Sequence, residues 1–192
     1  MNALDLDTIR TRIAAYSPRA RPDNDPRLWA ATALIVAAGS AEPEVAFIQR
    51  SSRPGDRWSG QMALPGGKRD PEDADALATA LRETREEVGV ELPPPTGRLD
   101  DVRGRVHAGI VATFVFTLDH RPPLRPALDE VAAAIWIPLQ TLLSSEAAFS
   151  TAWKGLGRFP AIRHEGYVIW GLTHRILGSF ARALGVPLPS PR

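Results

Sequence analysis

The stretch GQMALPGGKRDPEDADALATALRETREEVGV, Gly60 to Val90, decides the fold and carries the densest chemistry in the chain. A short apolar run, Gln61 to Leu64, leads into Pro65-Gly66-Gly67. A polar segment then precedes Ala74 to Val88, which is rich in strong helix formers and free of Gly and Pro. The predicted order is strand, glycine loop, helix. On that helix Glu83, Glu86 and Glu87 project from neighbouring turns of one face. Two unit charges about 5 Å apart repel by roughly 3 kcal/mol at an effective dielectric near 20, and by under about 1 kcal/mol in bulk water. A partly buried cluster therefore needs a cation, whereas a solvated face eased by Arg82 and Arg85 does not. Hard oxygen ligands without thiolates suit Mg²⁺ or Mn²⁺, and Mg²⁺ commonly leaves positions to water and phosphate, so the implied partner is a phosphorylated small molecule.

The stretch resembles the Nudix box of the Nudix pyrophosphohydrolases. Arg82-Glu83-Thr84-Arg85-Glu86-Glu87-Val88-Gly89-Val90 fits every fixed position of its second half, with Thr84 where an aliphatic residue is commoner. The first half departs by one extra loop residue, so Gly67 must serve as the pattern's glycine. Its acidic residue is then supplied by Asp73, counted from Gly67, or by Asp75, two helical turns before Arg82. The helical-face argument favours Asp75. The resemblance implies an α/β Nudix fold, a mixed β-sheet sandwiched between α-helices. It also implies Glu83 and Glu87 as main metal ligands, Glu86 as a further ligand or base, a metal contact from the main-chain carbonyl near Gly67, and Arg82 as the group that orients the carboxylates.

At 192 residues and 44% hydrophobic content, the chain suffices for one core, and the expectation is a single domain over 1–192 with its core at about 28–145 and helical extensions at both ends. A net charge of +1 gives no whole-molecule case for nucleic acid or an anionic membrane. The absence of cysteine excludes disulfides, thiolate metal sites and a cysteine nucleophile. The first residues are acidic and then amphipathic, unlike a secretory signal, and the longest apolar run, Ala30 to Ala38, is about half a membrane span. The expected location is cytoplasmic.

Along the chain, residues 5–16 read as an amphipathic helix, and Ala31 to Ala37 and Glu44 to Arg50 as a hairpin. The cations Arg50, Arg53, Arg57, Lys68 and Arg69 crowd the approach to the glycine loop, where an anionic substrate would need neutralising. Leu99 to Val106 and Ile110 to Leu118 read as strands, with His107 at the turn between them. Val131 to Ile137 reads as another strand, preceded by Asp129-Glu130 and followed by a helix from Pro138. Ser144 to Gly157, holding Trp153, reads as a mobile connection and a wall of the substrate pocket. Tyr167 to Trp170 is a last strand before a terminal amphipathic helix, and the two terminal helices permit a homodimer.

Glu130-Val131 with Trp136-Ile137-Pro138-Leu139 resembles a Nudix segment whose glutamate approaches the catalytic helix, so Glu130 joins Glu86 as a candidate base. Arg50-Ser51 through Gly60, Leu64-Pro65-Gly66-Gly67 and Trp170-Gly171-Leu172-Thr173 resemble the coenzyme A pyrophosphatase branch, although the arginine after Arg50 is out of that branch's register. This implies hydrolysis of coenzyme A or its derivatives to 3′,5′-ADP and 4′-phosphopantetheine. ADP-ribose, nucleotide sugars and other nucleoside diphosphate-linked compounds are the alternatives, and a non-catalytic nucleotide-binding domain is an alternative of another class.

Overall fold

Asp5 accepts the Thr8 amide and so caps α1 (Leu6–Ala15), which turns Ile9 and Ile13 inward. The computed structural model describes residues 4–55, 58–104, 109–153 and 157–191. After α1 come β1 (Leu28–Ala38), β2 (Pro43–Arg50), β3 (Met62–Ala63), β4 (Gly66–Lys68) and α2 (Ala76–Val88). β5 (Gly97–Arg98), β6 (Val102–Arg103), β7 (Ile110–Leu118), β8 (Val131–Pro138) and the one-turn α3 (Leu139–Leu142) follow. The chain closes with β9 (Ala148–Ala152), β10 (Arg158–His164), β11 (Tyr167–Trp170) and α4 (Gly171–Ala183).

β1 lies at the centre of a mixed sheet. It pairs antiparallel with β2 and β4 on one side and parallel with β7 on the other. β2 carries the sheet outward to β3 and β8, and β5 and β6 flank β7. Strand alternation then decides which helix covers which face. Ala31, Ala33 and Ile35 pack with Ala76 and Ala80 of α2 and with Phe114 and Phe116. Leu34 and Val36 point the other way, into a cluster with Ile9 and Ile13 of α1 and Ile176, Leu177 and Phe180 of α4. The sheet is sandwiched between helices, as the sequence leads one to expect.

Two expected elements differ. Leu99 to Val106 is not one strand: Asp100 and Asp101 interrupt it as anchors. Asp100 accepts from the Tyr16 hydroxyl, the Arg19 amide and Arg182, and Asp101 accepts from the Arg21 amide and Arg98. Between 144 and 157 the chain forms β9, which pairs with β10 in a separate antiparallel sheet β9-β10-β11. Its segment AFSTA lacks a strong apolar alternation, so the partner strands, rather than local pattern, define it. Among the described residues, no helix is long and apolar enough to cross a membrane.

Asp100 is half-buried and ties the N-terminal connector to α4, and removing its several hydrogen bonds together costs about 1–3 kcal/mol. D100A should therefore lower the thermal midpoint by about 2–12 °C; an unchanged melting curve would show that these bonds do not anchor the termini. Asp25, buried at the entry to β1, accepts from the Arg27 guanidinium and amide, which hold its carboxyl well below the usual carboxylate range. Its stabilising effect is complete above the unfolded-state value near 3.8 and fades as pH falls toward the depressed native one. D25N should accordingly narrow the stability gap to wild type as unfolding is followed from pH 6 down to pH 2, and a constant gap would contradict this.

Candidate functional site

The helix carrying the box is fixed at both ends. Asp75 is its N-cap, accepting from the Ala78 amide at 2.8 Å, and Gly89 ends it in the left-handed region at φ 68°. Two orphan carbonyls of its last turn are then met by a later loop: the Arg125 amide donates to Val88 O and the Ala127 amide to Glu87 O. Those bonds bring the Ala127–Glu130 turn alongside the carboxylates. The Ser51 amide donates to Glu130 O, joining the same turn to the end of β2.

Asp73, not Asp75, supplies the acid of the loop. Its carboxylate receives Arg82 Nε at 3.0 Å and Nη2 at 2.9 Å, and also the Asp70 amide and the Thr79 hydroxyl. The Arg82 guanidinium beside it holds its carboxyl well below the usual carboxylate range. The helical-face argument for Asp75 fails because that side chain is committed to the cap. Arg82 Nη1 meets Glu83 and Glu86, each at 3.0 Å, and Nη2 reaches Lys68 O at 3.2 Å.

Glu83 and Glu87 face the glycine strand. Any Cβ on Gly67 would lie 2.4–2.5 Å from the Glu83 carboxyl atoms, so the carboxylate rests against a bare Cα. Gly66 has φ +147° and backs onto β1, where a Cβ would come within 2.3 Å of Ala31 O. Its amide donates to Glu87 Oε2 at 2.8 Å. Glu87 is only 5% exposed. Burial, reinforced by the Glu83 and Glu130 charges and opposed by the Gly66 amide and Arg50, pushes its carboxyl up to about 8. Burial also raises Glu83, against the pull of Arg82.

The remaining expected residues divide. Glu86 is half exposed and ion-paired to Arg82. Glu130 is half exposed and paired to Arg53 Nη2 at 3.2 Å; its charge reaches both Glu83 and Glu87. Arg50 ends β2 with its charge felt at Glu87. Arg53 binds Asp129 O as well as Glu130, and its backbone is pinned by Ser59. Lys68 is turned toward the Trp29 ring, 5.2 Å from its centroid. Arg57 and His107 lie outside the described residues. Sequence reasoning did not identify the Gly66 amide as a carboxylate donor, since a backbone N–H has no side-chain signature; the paired glycines were the only available signal.

As they stand, the described residues gather no three acidic or imidazole groups into a ready cation cage. Glu83 is drawn to Arg82 and Glu87 to the Gly66 amide. The donor set nonetheless fits a hard divalent cation: oxygen donors from carboxylates, one of them buried with its charge under-compensated.

The NUDIX domain family profile matches residues 26–155. Among curated proteins, the chain is 36% identical over 179 residues to human mitochondrial coenzyme A diphosphatase NUDT8, covering 88% of this chain and 72% of that protein. The mouse NUDT8 is 39% identical over 139 residues, covering 68% of this chain and 66% of that protein. The Schizosaccharomyces pombe protein C14C4.10c is 38% identical over 168 residues; the match takes in 74% of this chain and only 51% of the yeast protein. Among solved structures, a MutT/nudix family protein from Enterococcus faecalis superposes with a TM-score of 0.57 at 18% identity, over 86% of this chain and 65% of that one, a likeness of fold. With the box residues arranged around Gly66 and Gly67 and the profile spanning most of the chain, the protein belongs to the Nudix hydrolase family.

Proposed function

We propose that the protein hydrolyses the diphosphate bond of coenzyme A or its derivatives, releasing 3′,5′-ADP and 4′-phosphopantetheine, with Mg²⁺ or Mn²⁺ as cofactor. The observation that carries the hydrolase reading is the placement of Glu83 and buried Glu87 against Gly67 and Gly66. The likeness to the NUDT8 proteins, whose names state coenzyme A diphosphatase, supports the choice of substrate. Glu83, Glu87 and the Gly67 carbonyl would hold the cation, with Glu86 at their margin. Once bound, it supplies neutralisation of phosphate oxygens and a lowered pKa for the attacking water.

The chain's own groups do the rest. Arg82 bridges Glu83 and Glu86 through Nη1 and so orients both, and Asp73 keeps Arg82 in place. Glu130 is the preferred base, because its charge acts on both Glu83 and Glu87 while its turn is fixed by Ser51 and Ala127. It would take a proton from water as the water oxygen bonds to one phosphorus, the anhydride P–O bond breaking and its electron pair leaving with the other phosphate. Glu86, clamped by Arg82 and open to solvent, is the second candidate. Arg50 and Arg53 stand on the segment that would meet the substrate's phosphates, and Arg57, outside the described residues, belongs to the same run of sequence. A cytoplasmic setting belongs to the same reading, as does a homodimer through the terminal helices.

Purified protein incubated with coenzyme A, acyl-coenzyme A, ADP-ribose and nucleotide sugars, with Mg²⁺ or Mn²⁺, should yield 3′,5′-ADP and a phosphopantetheine product by mass. Chelator should abolish turnover, and E83Q and E87Q should lose most of it while melting cooperatively. Preference for ADP-ribose or a nucleotide sugar would discard the coenzyme A assignment, and near-normal turnover by E83Q and E87Q would discard the site. D73N should lower kcat by about 10- to 100-fold, the range for a group that orients metal ligands. D75N, which keeps a capping side chain, should stay within about twofold of wild type; the reverse order would return the loop's acid to Asp75.

A further inference from the structure

Trp29 has no part in the chemistry described so far, yet the fold goes out of its way to present it. The register of β1 against β7 shifts between Leu28 and Ala30, so that Trp29 is an extra residue in the strand. As a consequence Leu28 and Ala31, three apart, both join the core beneath α2, which regular alternation forbids. The bulge turns the largest side chain of the strand out of that core and leaves it 40% exposed. Bulges re-aim side chains in this way and are enriched beside active sites. Room for the indole depends on Gly109, where a Cβ would stand 2.7–2.9 Å from Trp29 Cβ, Cγ and Cδ2.

The ring is also tied to the glycine strand. The Arg69 amide donates to Trp29 O at 3.0 Å, and the Lys68 ammonium stands 5.2 Å from the ring centroid. Ala31 is the partner of Gly67 across the ladder. Two steps of strand rise and one strand spacing therefore put the Trp29 Cα about 8 Å from that of Gly67. An aromatic face with a cation beside it, one nucleotide's reach from a diphosphate site, matches a purine base and its adjoining phosphate. Stacking on an aromatic ring supplies affinity without base-edge hydrogen bonds.

We propose that Trp29 is the stacking platform for the purine base of the substrate's nucleotide half, with Lys68 moving from the ring to the neighbouring phosphate. The proposal rests on the diphosphate-hydrolase reading of the site and adds to it a residue that selects nucleotide-containing diphosphates.

Binding of adenosine 3′,5′-bisphosphate and of ribose 5-phosphate, each with Mg²⁺, to wild type, W29F and W29L by isothermal titration calorimetry tests this without requiring turnover. Wild type should prefer the bisphosphate. W29L, which keeps apolar bulk, should bind it about 5- to 150-fold more weakly, the span of one base–aromatic stack, with ribose 5-phosphate unaffected. W29F should restore most of the preference. Equal binding of the bisphosphate by W29L and wild type, an equal loss for both probes, or no preference in wild type would overturn the proposal. A wild type that discriminates between the probes yet hydrolyses no diphosphate would leave the platform standing and sink the hydrolase reading.

Discussion

One guanidinium organises the site. Arg82 donates through Nε and Nη2 to Asp73, through Nη1 to Glu83 and to Glu86, and again through Nη2 to Lys68 O. Those five bonds match the five N–H donors that an arginine possesses. A lysine has three donors and no plane, and could not grip a carboxylate side-on while holding two others from its far edge. Because one of the five bonds ends on a main-chain carbonyl of β4, the clamp sets helix and glycine strand relative to each other. Its own anchor, Asp73, is nearly buried and further held by Thr79 and the Asp70 amide, so the guanidinium has little freedom left.

The glycines complete this constraint from the strand side. Gly67 allows the Glu83 carboxylate to lie on the backbone, and Gly66, in a conformation and against a neighbour that exclude a Cβ, offers its amide to Glu87. One amide is a small return for burying a carboxylate, since partial hydrogen bonding does not replace the water removed. The raised proton affinity of Glu87 expresses that shortfall. A fold that buries an acid and leaves it under-compensated stores a requirement for positive charge at that place. Arg50 meets the requirement only in part.

Much of this was legible in the sequence because it is local. Helical spacing places Glu83, Glu86 and Glu87 together whatever surrounds them, and β1 and α2 follow from runs of apolar and helix-forming residues. What was not legible depends on loop geometry and on distant partners. The extra residue before α2 makes counting from either end of the loop ambiguous, and only the capping bond to Ala78 removes Asp75 from contention. β9 has too little pattern of its own and exists through its pairing with β10. Asp100 and Asp101 look like breaks in a strand until the connector and α4 arrive to bind them.

The cations of the approach show why residue type alone did not fix their duties. Arg53 satisfies Glu130 and a carbonyl of the same turn, and Lys68 sits by an aromatic ring. Neither interaction is expensive to exchange: an exposed ion pair is worth about 0–1 kcal/mol and an exposed cation–π contact about 0.5–1 kcal/mol. Both cations are thus held at low cost in positions from which a phosphate could take them. Arg53, in leaving Glu130, would also leave that carboxylate without its ion-pair partner. The approach is neutral at rest because its cations are spent on neighbours within the fold, and those same weak contacts are the ones an arriving anion would compete for.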